Sequence, residues 1–191
     1  MENKYLIFSV IGEHAGEKEP KIFSRKAEDL KRSNGWTLWL FKSHRATPKI
    51  VQAFCESAES EGSTPLVSFL LPKTPGGASP TQNCDRAELY SENGINWKSI
   101  PNDLEVTGKV DGGAYAFVLD SIQVVESEID LSIYSSYPEQ QPIRPMPGAS
   151  TICALRQISR ESAVSRPNMR KIAGVARLRK PFCVYLKRGT G

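Results

Sequence analysis

WTLWLFKSHRATPKIVQAFCESAESEGSTPLVSFLL, residues 36–71, is the stretch whose reading decides the fold. It opens on Trp36–Lys42, a run of strand formers with Trp36, Leu38 and Leu40 on one side of the pleat and Trp39 and Phe41 on the other. Two apolar faces predict a central place in a sheet. Thr47-Pro48 then signals a helix start, a capping residue followed by proline at the first helical position, where a missing N–H costs nothing. Ile50, Val51, Phe54, Cys55 and Ala58 recur at helical spacing, and the pattern stops before Gly62. Leu66–Leu71 is a further apolar run. The order is strand, helix, strand.

Upstream the same alternation begins. Lys4–Ile11 (KYLIFSVI) predicts a first strand ended by Gly12, and a charged loop, Glu13–Pro20, contains His14. Ser24 predicts the cap of a helix running to Arg32, with Asn34-Gly35 as its stop. Residues 1–71 therefore predict a β-α-β-α-β start. Downstream the character changes at the turn-rich Pro72–Gln82. Glu88–Tyr90 and Ile95–Trp97 flank Ser91-Glu92-Asn93-Gly94, a hairpin signal. Val106–Val110, Ala114–Val125 and Leu131–Tyr134 predict further strands. Four prolines in Tyr137–Gly148 predict a linker or a wrapping arm. Beyond it, Ser150 with Ile152, Leu155 and Ile158 predicts a short helix carrying Arg156 and Arg160 on its outer face. Ile172–Leu178 and Phe182–Leu186 predict a last pair of strands, broken near Lys180-Pro181.

The expected fold is α+β: a mixed sheet of about seven or eight strands, two N-terminal helices, a central hairpin region, and a basic C-terminal helix plus strands. The expected organisation is a core domain over residues 1–137, a proline-rich linker over 138–148, and a basic segment over 149–191 packed on the same domain. A chain of 191 residues, 39% hydrophobic and 24% charged, has the composition of a soluble globular protein. It lacks an apolar run long enough for a membrane helix and shows no export signal, so a cytoplasmic site without membrane contact is expected. The four cysteines, Cys55, Cys84, Cys153 and Cys183, are far apart and form no CxxC pair, which predicts reduced thiols and no metal.

Charge is the strongest functional signal. Residues 141–191 hold eleven Lys or Arg against one acid, a balance of +10, while residues 1–140 balance at −6. Clustered cations neutralise closely spaced phosphates and release counterions, so the leading expectation is a nucleic-acid-binding accessory or regulatory protein, acting on RNA, DNA or a nucleoprotein without turnover. Arg156, Arg160, Arg170, Lys171, Arg177 and Arg179 are the expected phosphate contacts. Arg45, at a helix N-terminus, is a second anchor, and Trp97 is a candidate stacking surface. Six to eight contacts predict a log–log salt slope of about −5 to −7 on duplex DNA. The second expectation is an adaptor or inhibitor docking the basic segment on an acidic protein. The third is a metal-independent nuclease using His14 and His44, which share a sheet edge if the first two strands are parallel. No GxxxxGK[ST], GxGxxG, HExxH or GxSxG motif is present, and no cofactor is expected.

Overall fold

The computed structural model describes residues 4–11, 18–73, 85–110, 113–137 and 166–189, and the backbone of 152–157. β1 (Leu6–Val10), α1 (Glu19–Arg32), β2 (Thr37–Lys42), α2 (Pro48–Ser60) and β3 (Leu66–Leu70) give the β-α-β-α-β start. Short strands follow: β4 (Asp85–Arg86), β5 (Leu89–Ser91), β6 (Lys98–Ser99) and β7 (Thr107–Gly108). Then come β8 (Ala114–Asp130), a 3-10 turn at Leu131–Ile133, β9 (Tyr134–Ser136), β10 (Ile152–Gln157) and β11 (Met169–Lys187). The main sheet runs β2-β8-β11-β3-β1-β10-β9, with β5 added to the far half of β11, β6 to β5, and β4 and β7 forming a separate pair. β1 and β3 are parallel and their neighbours antiparallel, so the sheet is mixed and the fold is α+β.

Both helices lie on one face because their apolar stripes face the sheet. Ile22 and Phe23 of α1 and Val51, Phe54 and Cys55 of α2 pack on Ile7, Val67, Phe69, Phe117, Leu119 and Ala176. Alternate residues point the other way. Leu38, Ala116, Val118, Val184 and Leu186 meet a second layer built by Ala87, Ile100, Leu104, Val106 and Val110. Beneath β1 and β3, Leu6, Phe8 and Leu70 are closed off by Leu131 and Tyr134. Cys55 and Cys183 are both buried.

Several expectations change. β2 is an edge strand, paired to β8 alone. It reads as two-faced because residues 87–110 cover its outer side while α1 and α2 cover its inner side. Residues 152–157 form β10, not a helix, and pair antiparallel with β1. A helix of so few residues is marginal by itself, and the open edge of β1 offers a ladder that outweighs local periodicity. The last pair of strands is the single strand β11, interrupted by a bulge. α1 starts at Glu19 with Pro20 in its first turn, ahead of Ser24. The hairpin after Leu89 pairs at Lys98–Ser99, beyond the expected Ile95–Trp97, and Asn93 holds its loop by accepting from the N–H groups of Ile95 and Asn96. Residues 138–148 lie outside the described residues.

Gly174 shows how tightly α1 sits on the sheet. A Cβ there would lie 2.8 Å from Cζ of Phe23 and 3.0 Å from the Gln123 carbonyl oxygen. Phe23 cannot retreat, since its ring lies against Trp39 and Phe69. Gly174→Ala gains about 0.4–1 kcal/mol by stiffening the unfolded chain, but overpacking costs about 1–3 kcal/mol. A net loss of about 1–2 kcal/mol is expected in urea unfolding. A stabilised variant would show that the helix–sheet spacing is slack.

Candidate nucleic-acid interface

The bulge in β11 builds the site. Leu178 pairs with Leu119 of β8 and Cys183 with Phe117, so Arg179–Phe182 stand opposite Val118 alone. The extra residues must leave the ladder, and a bulge re-aims the side chains it carries. Pro181 has no N–H to lose from the ladder, and the Lys180-Pro181 peptide is cis. Phe182 takes φ 64°, an uncommon left-handed conformation for a bulky residue, and is held there by a fully buried ring. The result is Arg179 and Lys180 pushed into solvent at the step where β3 begins.

That step is an open cleft of about 460 Å³. Its walls are Arg177–Lys180, the Gly62–Pro65 connection, Asp120 of β8 and Glu59 in the last turn of α2. The Leu178 N–H donates to the Pro65 carbonyl at 3.0 Å and ties the bulge to that connection. Two of the three cations carry acids already. Arg177 Nε lies 2.6 Å from Asp120 Oδ1, a contact that raises the guanidinium's pKa. Lys180 Nζ lies 3.0 Å from Glu59 Oε2. Arg179 is exposed and has no ion pair or hydrogen bond among the described residues. The C-terminus of α2 adds negative dipole beneath them, which favours the resident cations. Arg179 is the uncompensated charge of the site.

The other expected contacts scatter. Arg170 is 5% exposed, a correction to its place on a binding surface; its Nη2 donates to the Leu71 carbonyl at 2.8 Å, and burial lowers its pKa. Arg170 lies on the strand face of Ile172, which pairs with Leu70 and packs on the cluster of Leu6, Phe8, Leu131 and Tyr134. Lys171 is exposed, opposite Glu128 in the β8 register. Arg156 lies on β10, three strands from β11, about 14 Å across the sheet by ordinary strand spacing. Its side chain, Arg160 and His14 are outside the described residues. Arg45 and His44 are exposed in the turn before α2, held by Ser43 Oγ accepting from the Arg45 and Ala46 N–H groups at 3.1 and 2.9 Å. They sit at the opposite end of α2 from the cleft, about 20 Å along a 13-residue helix. Trp97 is half-buried and has Lys187 Nζ over its ring at 4.2 Å, so that face is already covered.

The first two strands are not parallel, the arrangement that would have put His14 and His44 at one sheet edge. β1 and β2 run antiparallel, four strand positions apart. Their C-terminal ends therefore leave opposite edges of the sheet. Among the described residues, no three His, Cys, Asp or Glu side chains gather to hold a metal, and no helix is long and apolar enough to cross a membrane.

Lys180, Asp120 and Glu59 were missing from the sequence-based set. Two signals point to Lys180 and Asp120, and none to Glu59. A Lys-Pro step inside an apolar run marks a bulge, and Asp120 is the only charge in Ala114–Val125. Comparison with known proteins gives no matching family model, no matching curated protein and no matching solved structure.

Proposed function

We propose that the protein binds nucleic acid through the bulge cleft, as an accessory factor without turnover, with Arg179 as its principal phosphate contact. The observation that supports this is Arg179 itself: a planar guanidinium in solvent, unpaired, between two further cations that share one cleft. Arg177 and Lys180 contribute to the extent that a phosphate draws them from Asp120 and Glu59. Arg45 would add a contact only for a strand long enough to span α2. The residues lining the cleft include no aromatic side chain, so no base-stacking platform stands beside Arg179. That favours backbone contact without sequence readout.

The test is anisotropy of labelled single-stranded and duplex DNA and RNA with the wild type and the Arg177→Glu/Arg179→Glu variant, circular dichroism confirming the fold. Loss of at least about tenfold in affinity is expected, equal across sequences of one length. Equal affinity in wild type and variant would remove the cleft from the interface.

A second reading, docking on an acidic protein, has its own support. Arg177, Lys180 and Arg188 each hold an acid of residues 1–140, so three of the segment's eleven cations are met within the chain. A surface with one spare cation suits a single carboxylate as well as a phosphate. A partner retained after nuclease treatment, and lost with Arg179→Glu, would favour it.

A further inference from the structure

Among the described residues two cationic side chains are buried, and they are treated oppositely. Lys26, 6% exposed, lies 2.9 Å from the fully buried Asp29. Arg170, 5% exposed, has no carboxylate partner among the described residues. Among the described residues its Nη2 reaches the Leu71 carbonyl and its Nε has no partner. A buried lysine can escape by giving up its proton; an arginine cannot. An uncompensated guanidinium therefore calls for an anion.

Asn168 points to which anion. It lies two residues before Arg170, immediately ahead of β11. It is 5% exposed, and both Nδ2 and Oδ1 lack partners. Its backbone is fully used: its N–H donates to Asp130 Oδ1 at 2.8 Å, and its carbonyl accepts from Leu131 at 3.0 Å. Asp130 does not serve Arg170. Burial pushes its carboxyl up, but the bonds from Ser132 and Asn168 outweigh that and hold it below the usual range. The site is at the rim of the sheet, since Arg166, Pro167 and Met169 beside it are exposed.

We infer that Asn168 and Arg170 form a small-oxyanion site selective for an anion that carries its own proton, phosphate being the simplest. Arg170 Nε–H and Asn168 Nδ2–H donate to charged oxygens. Asn168 Oδ1 accepts from the P–OH. Sulfate matches phosphate in size and charge but has no proton at neutral pH, and it leaves Oδ1 unpaired, a loss that polar sites convert into strong discrimination. The site is separate from the bulge cleft and does not rest on the nucleic-acid reading.

The experiment is thermal unfolding and calorimetric titration of the full chain with inorganic phosphate and with sulfate at equal ionic strength. Phosphate at about a hundred times its dissociation constant is expected to raise the wild-type midpoint by about 5–10 °C beyond sulfate. Arg170→Met and Asn168→Leu should bring the two salts level, while Arg179→Glu keeps the difference. Equal shifts by both salts in the wild type would overturn the site, as would a phosphate increment that survives Arg170→Met. If neither variant folds, the wild-type heats decide: binding of phosphate without sulfate upholds the site, and heats alike for both reject it.

Discussion

Asp29→Ala is expected to remove about 3–5 kcal/mol of stability. Asp29 is fully buried on α1, and each of its carboxylate oxygens is engaged. Oδ2 accepts from Lys26 Nζ at 2.9 Å and from Thr37 Oγ1 of β2 at 3.2 Å, and Oδ1 accepts from Arg32 Nη2 at 3.0 Å. Lys26 also donates to the Glu105 carbonyl at 3.1 Å, so the cluster joins α1, the edge strand and the second layer. Burial pushes the Lys26 ammonium's pKa down, and Asp29 pulls it back up. Without Asp29 the lysine keeps one carbonyl, and Thr37 loses its acceptor. The midpoint should fall by about 10 °C or more for a chain of this length. Lys26→Met with Asp29→Leu should recover much of the loss, because two apolar groups leave nothing unpaired. A single variant within about 1 kcal/mol of wild type would mean that water reaches Lys26.

How much of this was legible beforehand follows the range of the interactions. The strand–helix–strand order of residues 36–71 rests on local periodicity and turn chemistry, and both helices and β1 to β3 lie where those place them, within a few residues. Position in the sheet is a pairing property. Trp39 and Phe41 announce burial, but whether β-sheet or a covering loop buries Leu38 is decided by Leu104 and Val106, some sixty residues away. β10 is the same lesson: ICALRQ is ambiguous alone and is a strand because β1 lacks a partner on that side. The site was half legible. Arg177 and Arg179 were visible as alternate residues on a strand, but Arg170 is separated from them by a bulge that no local pattern marks, and its burial depends on the layer that covers that end of the sheet. Charge counting also overstated the site, since it cannot see Asp120 beside Arg177 or Glu59 beside Lys180.

Pairing of the cleft's cations with neighbouring acids sets the salt dependence of binding. Six to eight free cations predict a duplex salt slope of about −5 to −7, which means a loss of about a thousandfold or more between 50 and 200 mM salt. The cleft offers three, two of them already paired, so the slope should lie between about −1 and −3, and the same change of salt should weaken binding only about 4- to 60-fold. Removing the competing acids tests the cause. Asp120→Asn with Glu59→Gln frees Arg177 and Lys180 for phosphate without moving the backbone, and both pairs are exposed enough that their loss should cost at most about 1 kcal/mol each. The double variant is expected to bind single-stranded or duplex nucleic acid about tenfold more tightly at 100 mM salt, with a slope steeper by about 2. Adding Arg179→Glu should cancel most of that gain, because the unpaired guanidinium is what first holds the phosphate. A slope of −5 or beyond in the wild type would mean that the interface extends well past the cleft. An unchanged slope in the double variant would mean that Arg177 and Lys180 never meet the ligand, and that the cations of the bulge serve only to match the acids beside them.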